Sequence, residues 1–283
     1  MSDIATKPLH AWIGRTESRA DVVAAWPAVA LAATLDRSDP EPKPGDALPP
    51  GWHWLFFLEA APASELGPDG HPKRGGFLPP VALPRRMWAG GRLEFRHPLR
   101  VGDAIRRDSA IVSIEPKQGR SGRLVFVTVR HTVSAGGEPA VVEDHDIVYR
   151  EAAKPGDPLP PSQSAPRDAL WRREVVADPV MLFRYSALTF IGQRIHYDLE
   201  YCRDVEGYPG LVVHGPLQVI LLLDLARRHE SRPVKRLEYR AHRPLFHFER
   251  FTVNGNAAPG ASQAALWTAD PAGNYAMAAT AYF

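Results

Sequence analysis

Two hydrophobic periods run along this chain, and both recur in each half. Val125, Val127 and Val129 alternate with Phe126, Thr128 and Arg130, the period-two pattern of a strand with one buried face. Residues 105–114, 124–133 and 141–149 are expected as three strands of the first half. Residues 245–253, 262–268 and 275–283 are their expected counterparts in the second. Gly136-Gly137 and the Pro271-Ala272-Gly273-Asn274 stretch supply turns between neighbours. Helical spacing appears elsewhere. Leu217, Ile220, Leu221, Asp224 and Leu225 follow Gly215-Pro216, which predicts a helix to about His229 with an apolar stripe wide enough to be wrapped by a sheet. Asp178-Pro179 places an N-cap before a first-turn proline and opens a helix through Met181, Leu182, Tyr185 and Leu188. Residues 19–35 are rich in Ala and Val and predict one or two helices, with Pro27 breaking or starting one.

A repeat relates the halves. Arg92-Leu93-Glu94-Phe95-Arg96 returns as Arg236-Leu237-Glu238-Tyr239-Arg240, and a Pro-Leu pair follows each copy. Together with the recurring periods this predicts an α+β architecture in which a long buried helix inside a curved antiparallel sheet is built twice. Prolines crowd the middle of the chain, from Pro155 to Pro166, and no helix or central strand continues through them. Residues 1–151 and 170–283 are therefore expected as two domains, with residues 152–169 as the linker.

Composition narrows the function. A formal net charge of +2 over 283 residues is too mild for a nucleic-acid partner. The longest apolar run, residues 217–226, contains Gln218 and Asp224 and is too short to span a bilayer, so no membrane partner is expected. The single cysteine, Cys202, fits a reducing compartment, and the first residues carry no apolar signal core; a cytoplasmic location is the expectation. His242 and His247 lack carboxylates at metal-ligand spacing, so no metal is expected. Gly-rich nucleotide loops are likewise missing.

Several longer stretches are distinctive: residues 65–72 (Glu-Leu-Gly-Pro-Asp-Gly-His-Pro), 75–80 (Gly-Gly-Phe-Leu-Pro-Pro), 83–91 (Leu-Pro-Arg-Arg-Met-Trp-Ala-Gly-Gly), 146–150, 182–190 and 206–216. On these the chain resembles the MaoC-like hot-dog hydratases in their fused, double hot-dog form. It is most similar to the group containing mesaconyl-C4-CoA (3-methylfumaryl-CoA) hydratase, itaconyl-CoA hydratase and the mitochondrial-type hydroxyacyl-thioester dehydratases. The resemblance implies a double hot-dog fold and an acyl-CoA substrate, with CoA part of that substrate and no separate cofactor. It also implies reversible addition of water to an enoyl thioester, and a homodimer. Citramalyl-CoA formation from mesaconyl-C4-CoA or itaconyl-CoA is the favoured reaction. Fatty-acid-type 3-hydroxyacyl-thioester dehydration, thioester hydrolysis and non-catalytic acyl-CoA binding are the alternatives.

Hydration needs a group to take a proton from water and donors to hold charge on the thioester oxygen. In the wider family the hydratase turn resembles Asp-x-Asn-Pro-Ile-His. Laid on this chain it puts His196 at the His, Gln193 at the Asn and Ile191 at the Asp. In the nearer group Asn usually stands at Ile191 and His at Gln193. His196 is the candidate base, and Gln193 a candidate to orient water. Asp198 either orients His196 or caps the segment that follows. Gly215 would offer its N–H to the thioester oxygen, with His214 beside it. Ile191 neither donates nor accepts, and this departure gives the non-catalytic reading its weight. Arg85, Arg86 and Arg194 are candidates for phosphate or carboxylate. Trp88 is a candidate wall of the acyl pocket, with burial in the core as the competing role.

Overall fold

A computed structural model describes residues 9–119, 122–152 and 163–283. Its ten strands form one sheet in the order β1-β3-β4-β5-β2-β7-β10-β9-β8-β6, antiparallel throughout. The first half contributes β1 (Thr16–Val22), β2 (Arg85–Phe95), β3 (Ala104–Gly119), β4 (Gly122–Ala135) and β5 (Glu138–Arg150). The second contributes β6 (Trp171–Val176), β7 (Arg236–Ala241), β8 (Arg250–Asn256), β9 (Gln263–Ala269) and β10 (Tyr275–Tyr282). Read outward from the centre, each half runs through the same sequence of strands.

The halves meet through their repeat. Arg92, Leu93 and Glu94 on β2 pair with Glu238, Leu237 and Arg236 on β7. The two equivalent leucines therefore face each other, both fully buried, and a local two-fold passes between them.

Among the described residues three longer helices flank the sheet: α1 (Ala25–Thr34), α2 (Pro179–Thr189) and α3 (Gly215–His229). α2 starts as its sequence predicts, with an Asp178 carboxylate oxygen accepting from the Met181 N–H at 2.8 Å. α3 is buried from Pro216 to Ala226 and packs on β8, β9 and β10. The sheet makes room for it with small and flexible inward side chains, Ala264, Leu266, Met277, Ala279 and Ala281, all buried. Asp224 of α3 is buried as well, among Arg37, Arg173 (3.2 Å) and Arg228 (2.8 Å). Asp39 joins this network through Arg37 and Arg227, so α3 is tied to the first half by charge.

The double hot-dog sheet is present, but the expectation of a central helix in each half is corrected. Among the described residues only the second half has one. Residues 36–84 run instead as loops with two short 3-10 turns, Trp52–Leu55 and Ala63–Glu65. Prolines recur through this span, from Pro40 to Pro84, and deny a helix its N–H donors and its φ angles. The inward face of the first sheet is polar to match: Arg107, Ser109, His131, Glu143 and His145 point where the second half has Ala and Leu. Glu143 accepts from Trp54 Nε1 at 3.0 Å and lies 3.4 Å from His53 Nε2. Burial would raise its pKa, but the His53 bond and the nearby His131 and His145 rings outweigh it and hold the carboxyl at about 2.

Two further differences concern boundaries. Residues 19–22, expected as helix, belong to β1, paired with β3 from Thr16 to Val22. Residues 245–249, expected as strand, precede β8, and Phe246 makes only an isolated bridge to Val212. The proposed linker centres on residues 153–162, which lie outside the described residues.

Candidate functional site

The hydratase turn hangs between α2 and α3. α2 ends at Phe190 in the left-handed region, φ 51°, after which the Ile191 N–H returns to the Ser186 carbonyl at 2.9 Å. Residues Arg194–His196 form a 3-10 turn and aim the imidazole of His196 inward. That ring is 6% exposed. Its Nδ1 lies 2.7 Å from the Val212 carbonyl oxygen, an acceptor only, so Nδ1 carries the proton and donates. Nε2 is left with a free lone pair. Burial pushes the pKa of His196 down to about 4, against the opposing effect of the Val212 bond. The ring is neutral at physiological pH, the state a proton acceptor needs.

His214 stacks on His196, ring centroids 3.6 Å apart and planes 18° from parallel. Its Nε2 lies 2.8 Å from the Ser186 hydroxyl, its Nδ1 is buried without a partner, and burial puts its pKa well below 6.5. His214 is also the N-cap of α3, and its side chain caps nothing. Proline at the second position removes one donor. The N–H groups of Gly215 and Leu217 are thus left at the positive end of an uncapped helix, beside the stacked imidazoles. α2, capped by Asp178, offers no such opening.

Trp88 of β2 completes this corner from the other half. A β-carbon on Gly215 would lie 3.6 Å from Trp88 Cβ, ordinary contact, so Gly215 faces the indole. Trp88 donates from Nε1 to the Tyr239 hydroxyl at 2.9 Å and packs against His145 (4.5 Å) and Trp54 (5.3 Å). It is half-buried.

The arginines separate. Arg85 is committed, its Nε 3.1 Å from Glu206 and its NH2 on the Tyr208 hydroxyl. Arg194 is committed too: it binds Asp198 at 2.7 Å and the Pro68 carbonyl at 3.2 Å, and its guanidinium covers Tyr201 at 4.1 Å. Arg86 has no carboxylate within ion-pair distance among the described residues. It pairs in register with Tyr149 and so points to the inner face of the first half. There it lines a cavity of about 220 Å³ with Arg107, His131, His145, Ile147 and Tyr149. Arg86 also lines a small cleft of about 20 Å³ with Asp69, Gln193, Ile195 and Glu206. The stacked imidazoles line neither cavity.

Among the predicted residues, His196, His214, Gly215 and Trp88 come together, with Gln193 and Arg86 sharing the cleft next to them. Asp198 does not orient His196. It receives Arg194 and accepts from the Tyr201 N–H at 3.0 Å, capping the next turn. Ile191, half-buried, presents no polar group. Trp54, Glu143 and the Asp69–His71 pair are polar groups that residue type and spacing do not assign; Trp54 packs on Trp88 and donates to Glu143, while the Asp69 carbonyl accepts from the Arg194 N–H of the turn.

The chain matches the family model described as hydroxyacyl-thioester dehydratase type 2 over residues 51–247. It is 48% identical to mesaconyl-C(4)-CoA hydratase of Chloroflexus aurantiacus, over 95% of this chain and 96% of that protein. It is 29% identical to the mitochondrial hydroxyacyl-thioester dehydratase type 2 of Schizosaccharomyces pombe, over 71% of this chain and 75% of that one. Among solved structures, a MaoC-like dehydratase superposes with TM-score 0.71 at 16% identity, covering 97% of this chain and 99% of the other. A Mycobacterium tuberculosis protein described as a double hotdog fold superposes with TM-score 0.58 at 13% identity, covering 95% and 96%. With the fold shared at this level and the sequence shared over nearly its whole length, the chain belongs to the hydroxyacyl-thioester dehydratase type 2 family of MaoC-like hot-dog hydro-lyases.

Proposed function

We propose that the protein hydrates a short dicarboxylic enoyl-CoA, mesaconyl-C4-CoA or itaconyl-CoA, to citramalyl-CoA. The observation that carries this reading is the neutral His196, its Nε2 free, stacked beside the uncapped N-terminus of α3. In mesaconyl-C4-CoA, whose double bond is conjugated with the thioester, the thioester oxygen accepts from the Gly215 N–H, which polarises that bond. Water attacks the β-carbon, and its proton passes to His196 Nε2. The enolate that forms has its charge held by the helix end, and the α-carbon then takes the proton back from the imidazolium. The second water hydrogen stays on the product hydroxyl. Gln193, at the mouth of the small cleft, orients the water.

Arg86 supports a dicarboxylic substrate class. An arginine without a carboxylate partner, facing a polar cavity, suits the free carboxylate of a dicarboxylic acyl group. A long alkyl chain would leave the Arg86 guanidinium desolvated with no carboxylate to meet it, which argues against the fatty-acid reading. The 48% identical relative carries the mesaconyl-C(4)-CoA name, which points the same way. No cofactor enters beyond the CoA of the substrate.

Residues 1–151 and 170–283 act as two hot-dog units joined by residues 152–169. A cytoplasmic homodimer is the state we favour: no helix among the described residues is long and apolar enough to cross a membrane. α1 packs on α2, and Trp26, Val180 and Phe183 of these helices are 58–72% exposed, an apolar surface suited to a second copy.

The test is a panel of enoyl-CoA and hydroxyacyl-CoA thioesters followed by absorbance of the conjugated thioester. Mesaconyl-C4-CoA is expected to turn over fastest. His196→Ala is expected to lower kcat about 1,000-fold with an unchanged melting temperature; full activity in that variant would refute the role of His196.

A further inference from the structure

A loop from the first half lies directly on the hydratase turn. The Asp69 carbonyl accepts from the Arg194 N–H at 2.9 Å, and the Pro68 carbonyl from the Arg194 guanidinium. Gly70, at φ +83°, sits against the Gly192 carbonyl, where any β-carbon would collide with the oxygen. The loop is therefore locked to the residues on either side of Gln193.

This loop also carries a histidine backed by a carboxylate. Asp69 Oδ1 accepts from the His71 N–H at 3.1 Å, and Oδ2 lies 3.0 Å from His71 Nδ1. The carboxylate is an acceptor only, so Nδ1 holds the proton, and Nε2 has no hydrogen-bond partner among the described residues. Asp69 lines the cleft that Gln193, Ile195 and Arg86 share. His71 is near enough to His196 that a proton on one ring disfavours a proton on the other. Burial lowers the pKa of His71 itself, Asp69 opposing and Arg86 and Arg74 adding to the fall. This ring too is a neutral acceptor.

Ile191 presents no polar group, so the turn itself offers the reacting water only the His196 imidazole and the Gln193 amide. We propose that the Asp69–His71 pair, supplied by the first half, is the second arm that holds the reacting water. His71 Nε2 accepts from the O–H that stays with the product, while His196 Nε2 accepts the proton that leaves. Asp69 fixes the tautomer and the direction of the ring, as a carboxylate does behind a working histidine. The oxygen is then fixed by two acceptors, its lone pair aimed at the β-carbon. The inference rests on the hydratase reading above and assigns the grip on water, which Ile191 does not provide, to residues outside the turn.

The test uses the full chain with mesaconyl-C4-CoA. His71→Gln is expected to lower kcat about 100-fold with KM within twofold of wild type. Asp69→Asn, which keeps the Oδ1 acceptor and loses the charge, is expected to lower kcat about tenfold. In the His71→Gln background, Ile191→Asp returns a carboxylate to the turn and is expected to recover at least tenfold. A merely structural loop would lower the melting temperature, raise KM and show no such recovery. His71→Gln at wild-type kcat, or no recovery in the double variant, overturns the proposal and leaves the hydratase reading standing. A wild-type protein inactive on every enoyl-CoA of the panel overturns both.

Discussion

In the second half Ala264, Ala279, Ala281 and Met277 line the inner face of the sheet, and α3 fills it. In the first half the corresponding strands present Arg107, His131, Glu143 and His145, and among the described residues no long helix like α3 lies against them. The same strand order thus serves two ends. The filled half supplies a rigid floor: α3 is held along its length, so its first turn points its free N–H groups in one direction. The open half supplies what a floor of Ala and Leu lacks, namely a cavity, an unpaired arginine and a histidine that reaches across the seam. Neither half holds a complete site. On the reading proposed above, His196 and Gly215 come from the second, and Arg86 and the Asp69–His71 pair from the first.

The largest effect should come from loosening the floor. Asp224→Ala leaves Arg37, Arg173 and Arg228 around an empty position and is expected to cost about 3–5 kcal/mol of stability, read as a lower midpoint in urea with activity of the surviving fold retained. Arg86→Met should act on the open half alone. KM for a dicarboxylic enoyl-CoA is expected to rise about 10- to 100-fold, the worth of a charged hydrogen bond, while crotonyl-CoA, which lacks the carboxylate, is handled as before. Equal loss on both substrates would remove the division of labour between halves. Gly215→Ala is a smaller, sharper probe. The methyl has room against Trp88, so melting should not change, yet it stands where the thioester approaches, and kcat/KM is expected to fall about tenfold.

The smallest effect is on pH dependence. His131 in the open half and His196 in the filled half both have pKa values pushed by burial from 6.5 to about 4. The unfolded chain therefore takes up these protons first as pH falls. The stability that the two neutral rings contribute is complete above pH 6.5 and is lost on the way down to about 4. Asp39, held at about 2 chiefly by its Arg37 bond, gives way only below that window. Melting temperature measured from pH 7 to 4 should fall less steeply in His131→Gln than in wild type.

Much of this was legible in the residues. The strands of the first half, the Asp178 cap, the Gly215 start of α3 and the repeat all rest on local periods or local hydrogen bonds, and local patterns are what a single sequence displays. β1 was not, because Arg19 to Val22 reads as part of an Ala- and Val-rich run, and only its pairing with β3 makes it a strand. The prolines between Pro40 and Pro84 argue against a central helix in the first half, whereas the repeat predicts one. His196, Gly215 and Arg86 could be picked out by chemistry and resemblance. That Arg85 and Arg194 are neutralised by Glu206 and Asp198 could not, since residue type says nothing about which partner a guanidinium finds. The Asp69–His71 pair reaches the turn through a tertiary contact, and no spacing along the chain announces such a contact.

The pairing of Leu93 with Leu237 has an evolutionary corollary. Two separate copies of a single hot-dog module, edge to edge along this strand, would produce the same ten-stranded layer with identical interiors. Any substitution in such an assembly is made twice. Once the modules share one polypeptide, each gene position is altered singly, and one interior is free to lose its rod and gain charge while the other keeps it. The lopsided pocket of this enzyme is a shape that two identical modules cannot hold.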